Sequence, residues 1–254
     1  MSSSPLLSIS TFVFALAAFL YMAALIFKKP KLTLPARWTV VAAVVVTTAG
    51  ILLRWVESYQ MGIGHAPLSN LYESLVFFAW TAGVIYLFVE FKYKNPLIGA
   101  FVAPIAFLAM AYASMSPNIS DRIQPLIPAL KSNWLIAHVV TCFFGYAAFA
   151  IAFGMSLMYL LKTRNPEKID GIIGHIPKLD ILDELTHRMV LFGFLFLTVG
   201  IITGAVWANS ACARLMRGWQ GKQIAYLSVL GFAAVLFTYF GVNLLPGLHS
   251  YGKV

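Results

Sequence analysis

The stretch WLIAHVVTCFFGYAAFAIAFGMSLMYLL, from Trp134 to Leu161, contains no Asp, Glu, Lys or Arg. It is longer than the about 20 residues a helix needs to cross a hydrocarbon core about 30 Å thick. Lipid offers no partner for an unpaired backbone, so an open strand is excluded. The apolar/polar alternation of a membrane barrel strand is missing too. Similar runs flank it at Leu6–Phe27, Trp38–Val56, Leu71–Phe91, Pro96–Met115, Met189–Ala208 and Ile224–Leu245. Together they predict an all-α fold, a polytopic membrane helix bundle of about seven transmembrane helices, as a single integral membrane domain over residues 1–254.

The composition points the same way. Hydrophobic residues make up 60% and charged residues 11%, against about 25% charge in soluble domains. The net charge of +9 is read as Lys and Arg held in cytoplasmic loops. No basic cluster is interleaved with aromatics, so nucleic acid is not expected as a partner; membrane lipid is. Cys142 and Cys212 form no CxxC pair, and thiol redox or thiolate metal chemistry lacks its usual spacing. The first run has no basic stretch before it and is too long for a signal peptide, so it reads as a retained helix.

Loop charge sets the expected orientation. Lys28, Lys29, Lys31 and Arg37, then Lys92 and Lys94, then Lys162, Arg164, Lys168, Lys178 and Arg188 mark the first, third and fifth loops as cytoplasmic. The second loop, with His65 in GHAPLSN, and the fourth, with Pro117, Pro125 and Pro128, then face outward. The sixth, Asn209–Gln223, breaks the pattern. Alternation puts it outside, yet it carries Arg214, Arg217 and Lys222 and no acid. Either the rule fails there or one crossing is missing before these residues. Gly200 and Gly204 form a GxxxG, a spacing that lets helices approach closely but arises often by chance.

The histidines carry the chemistry that the sequence offers. His138 falls at the outer end of the fifth helix and His249 follows the last one. A histidine at a membrane edge is usually satisfied by a backbone carbonyl or a lipid headgroup. The sharper reading is ligation, because neutral imidazole is the commonest metal ligand, and two histidines on one side can hold a haem iron axially. His65 is a further candidate, in an ordered outer loop of the kind that forms binding surfaces. His175 reads as solvated, and His187, before a helix and beside Arg188, as capping and charge pairing. Arg54 and Glu57 are expected to pair, and Ser69 or Asn70 to cap the next helix. Trp38, Trp55, Trp134 and Trp207 read as an interfacial belt. No Walker motif, GxSxG or HExxH is present.

Four segments resemble one family: GHAPLSNLYESLVFFAW (Gly64–Trp80), NWLIAHVVTCFFGYAAF (Asn133–Phe149), LDELTHRMVLFGFLFLTVGIITGAVWANSA (Leu182–Ala211) and GKQIAYLSVLGFAAVLFTYFGVNLLPGLHSYG (Gly221–Gly252). They resemble the cytochrome c biogenesis protein CcsA family, also called ResC, the haem-handling membrane subunit of the system II pathway. The resemblance implies a role in cytochrome c maturation, with haem b held transiently and presented to apocytochrome c at the outer face. It implies a CcsB/ResB-type membrane partner, with which the chain forms part of a cytochrome c synthase (haem lyase) complex. It places the axial haem-iron ligands at His138 and His249 and no catalytic residue on this chain. A bacterial inner membrane is expected; a thylakoid also fits. One departure stands out. After Ala211 the family has a tryptophan-rich WWD loop, a further helix and a further histidine, whereas here Cys212 leads straight into ARLMRGWQGK. A haem-free scaffold subunit and a small-molecule transporter therefore stay open as alternatives.

Overall fold

The computed structural model describes residues 3–126, 131–164 and 176–215, with Tyr226, Val229 and Leu230. It contains α1 (Ser3–Ile26), α2 (Thr33–Gln60), α3 (Leu71–Tyr93), α4 (Gly99–Met115), α5 (Asn133–Arg164) and α6 (Leu179–Leu215), with short 3-10 turns at Pro30–Leu32 and Pro96–Ile98. No strand occurs among the described residues. Among the described residues six helices are long and apolar enough to cross a membrane, and the chain is an integral membrane protein. The seventh apolar run lies outside the described residues except for Tyr226, Val229 and Leu230, which are helical. Met1–Ala208 form one compact unit and Asn209–Val254 a second; the packing below is that of the first.

All the helices but α4 are longer than the apolar runs that announced them, most of all α6. The sequence suggested a crossing from Met189, but the helix starts at Leu179. Leu182, Leu185 and Met189 are buried at spacings of three and four, so one stripe keeps packing after the rest of the surface has turned polar. Hydropathy marks where lipid ends, not where the helix ends. His187 therefore lies inside a helix, not before one, and is exposed. Arg188 does the pairing instead, with Glu184 one turn back and with the Tyr93 hydroxyl at 2.7 Å. Asn209–Leu215, read as part of the sixth loop, continues α6.

α1 packs on α2 and α4, and α3 touches α2, α4 and α5. Hydroxyls stitch the apolar faces together: Ser10 to Thr47, Thr11 to Ser114 at 3.1 Å, and the Trp80 indole to Thr48 at 2.8 Å. At the end bearing the Lys28 and Lys94 loops, Glu90 is fully buried. It accepts from Arg37 Nε at 2.7 Å and from the Tyr21 hydroxyl at 2.9 Å. A buried carboxylate is tolerated only when paired and hydrogen-bonded, and these partners come from two other helices. Tyr21 meets Tyr86 edge-on, ring centroids 5.7 Å apart, in a favoured aromatic geometry.

Candidate functional site

The opposite end carries the second loop. α2 stops because Gly62 (φ 72°) and Gly64 (φ 65°) take the left-handed conformation that glycine adopts at little cost. The amides of Ile63 and Gly64 both donate to the Ser58 carbonyl at 3.0 Å. Asn70 then caps α3, its side chain accepting from the Glu73 amide at 2.8 Å. Glu73 reaches back and accepts from the Ser69 amide and hydroxyl, each at 2.8 Å. The arrangement is a reciprocal capping box displaced by one residue, so both expected cappers take part.

The expected Arg54–Glu57 pair does not form. Arg54 Nε donates to Glu73 at 2.8 Å, with both side chains almost fully buried. Its Nη2 donates to the Asp121 carbonyl at 2.6 Å, and its guanidinium lies over the Tyr72 ring at 5.2 Å. Glu57 turns instead to Ser3, accepting from its amide at 2.7 Å and its hydroxyl at 2.5 Å. Residues three apart on a helix are neighbours on its surface. Here one points into the bundle and the other towards α1, and tertiary partners win.

His65 is buried. Its Nδ1 faces the Ala66 carbonyl at 2.8 Å and its Nε2 faces the Gln124 carbonyl at 2.9 Å. With both ring nitrogens against backbone oxygens, His65 fastens the second loop to the fourth.

His138 is placed differently. It sits in the second turn of α5, partly buried, with Nδ1 2.7 Å from the Gly200 carbonyl of α6. Its Nε2 has no hydrogen-bond partner among the described residues. The ring lies against Gly204, where an added Cβ would come 2.7 Å from Nδ1 and 2.8 Å from Cε1. Trp207 lies nearly parallel to it, centroids 6.2 Å apart and planes 12° from coincidence. Cys142 Sγ is 3.6 Å from Nδ1. The close approach continues down the seam: a Cβ on Gly145 would come 3.1 Å from the Gly193 carbonyl, and one on Gly193 3.1 Å from the Phe149 ring. His138, Cys142, Gly145 and Phe149 form one face of α5, at spacings of four, three and four. Gly200–Gly204 is thus a working contact between helices.

The other expected ligand, His249, lies outside the described residues, as does His175. Among the described residues no cluster of three or more His, Cys, Asp or Glu is placed to hold a metal ion. Sequence reasoning offered a backbone carbonyl as a partner for His138 but not that it is Gly200's, and it missed the pairing of Trp207 with His138. The available signals were the i, i+4 spacing of His138 with Cys142 and the GxxxG opposite them.

Residues 68–216 match the family model described as Cytochrome C assembly protein. Three relatives share the name Cytochrome c biogenesis protein CcsA. The one from Chlamydomonas reinhardtii is 37% identical over 236 residues, covering 80% of this chain and 64% of that protein. The chain thus spans less than two thirds of that relative's length. The one from Prochlorococcus marinus is 37% identical over 270 residues, 84% of each chain. The one from Guillardia theta is 36% identical over 280 residues, 91% of this chain and 90% of that one. Alignments of 270 and 280 residues exceed the 254 residues of the whole chain. These relatives therefore hold interior residues that have no counterpart here. The matched region runs from the second loop to the end of α6, through both the capping box and the His138 seam, and on that match the chain belongs to the cytochrome c assembly protein family.

Proposed function

We propose that this chain serves cytochrome c maturation by holding haem b in transit on His138 and giving it to apocytochrome c. The observation that carries the reading is the state of His138: one ring nitrogen on the Gly200 carbonyl, the other without a partner among the described residues, and the Trp207 ring alongside. That donor chemistry fits an axial ligand to haem iron, since a neutral imidazole offers one lone pair. His249 is the proposed second ligand, by resemblance. Haem is cargo here, and the thioether bonds form between its vinyl groups and the CxxCH thiols of the apocytochrome. The chain's own part is to hold the iron and bring the ring to the membrane edge. A CcsB/ResB-type subunit is the proposed partner, and a bacterial cytoplasmic membrane the proposed setting, with a thylakoid as the other.

The interior residues present in the relatives and absent here favour a second reading, a haem-free scaffold within the same assembly. One measurement separates the two: the visible absorption spectrum of the detergent-purified chain co-expressed with its partner, beside His138→Ala and His249→Ala. A Soret band that weakens in both variants is the expected result. A co-purified partner with no Soret band would establish the scaffold.

A further inference from the structure

We propose that α6 is the holder of the His138 imidazole, fixing its tautomer and its rotation so that Nε2 is presented as a ligand atom; Gly200, Gly204 and Thr203 are positioning residues for that histidine. The proposal rests on the haem reading for its purpose, but its geometry is independent of haem.

A carbonyl oxygen only accepts, so a ring nitrogen 2.7 Å from the Gly200 oxygen carries the proton. In a neutral imidazole the lone pair then belongs to Nε2. Histidines that bind metals have their other nitrogen fixed in this way by a carbonyl or carboxylate. The Thr203 hydroxyl shares its proton between the Val199 carbonyl at 2.8 Å and this Gly200 oxygen at 3.0 Å, a weaker tie of the oxygen into the wall of α6. Rotation is restricted by shape. The ring occupies the space that a Cβ at position 204 would take, within 2.8 Å of both Nδ1 and Cε1, and Trp207 stands parallel to it. The helix spacing that permits this is set one turn away. A Cβ on Gly200 would come 2.6 Å from Cys142 Sγ and 3.3 Å from the Cys142 amide nitrogen. An alanine at 204 therefore strikes the imidazole itself. An alanine at 200 strikes a side chain that can be trimmed.

The test uses the full chain in detergent with two readouts. The first is nitrogen NMR of histidine-labelled protein, with the His138 signals assigned through His138→Gln. The second is titration with haemin, followed at the Soret band. Wild type is expected to show a protonated Nδ1 and an unprotonated Nε2 at His138. Gly204→Ala should lose that pattern and weaken haemin binding by about 10- to 100-fold, the range for removing the outer partner of a metal-binding histidine. Gly200→Ala should weaken it as well, and G200A/C142A should recover most of the loss. That recovery separates a positioning effect from misfolding. A proton on Nε2 in wild type, or a Gly204→Ala protein that keeps both the pattern and the affinity, would overturn the proposal. The expected tautomer with no haemin binding by wild type would remove the haem reading and leave α6 as the holder of the ring.

Discussion

Arg54 and Glu73 show how little a residue's nearest neighbours in sequence decide in a packed bundle. Arg54 sits three residues from Glu57, yet it pairs with Glu73 across 19 positions, because burial makes an unpaired charge intolerable. Removing one partner of such a pair commonly costs about 3–5 kcal/mol. Glu73→Gln keeps the shape but leaves Arg54 uncompensated. It is expected to lower the unfolding midpoint in detergent sharply, with a loss in that range. R54M/E73L, which removes both charges, should recover most of it, since apolar replacement of a buried pair is often neutral. A double variant no more stable than Glu73→Gln would show that the Arg54 contacts with Asp121 and Tyr72 matter more than the ion pair. At this scale the sequence was only partly legible. Asn70 and Ser69 announced a cap because their chemistry is local. Arg54–Glu73 and His138–Gly200 were invisible because they depend on which helices meet.

At the scale of elements, apolar length predicted six described helices within a few residues at most ends. It failed at the start of α6, where helix outlasts lipid, and at Asn209–Leu215, where helix replaces a presumed loop. The seam between α5 and α6 depends on bare backbone. With a Cβ at Gly145 only 3.1 Å from the Gly193 carbonyl and 3.2 Å from the Leu197 amide nitrogen, Gly145→Val must force the helices apart. Overpacking of this kind costs about 1–3 kcal/mol. The variant is expected to melt earlier and to make an engineered disulfide across the seam form more slowly. Unchanged cross-linking would mean that the helices slide along each other instead of separating.

The whole molecule is where the conflict in the charge rule matters. Seven crossings put the two ends of the chain on opposite faces of the membrane, so His138 and His249 would not share a side. Eight would return them to the same one. The alignments that outrun the chain agree with a shortened interior, and the basic residues after Ala211 agree with a lost crossing. Fusion of a periplasm-active phosphatase, and separately of a fluorescent protein that folds only in the cytoplasm, after Val254 reads the side directly. Phosphatase activity is the outcome that one haem shared by His138 and His249 requires; cytoplasmic fluorescence would mean seven crossings and would remove His249 as a ligand. Phosphatase activity would show that one run does not span.

The buried carboxylates at Glu73 and Glu90 anchor α3 near both of its ends, one to α2 and the other to α1 and α2. Mechanically α3 is a spindle held in two bearings, with 56% of its most apolar stretch buried, whereas the corresponding figure for α6 is 17%. α6 meets the bundle through the buried Leu182, Leu185 and Met189, the glycine contacts, the His138 bond and the Tyr93–Arg188 tether. Among the described residues, the helix that grips the imidazole thus has less of its most apolar stretch buried than α3 does.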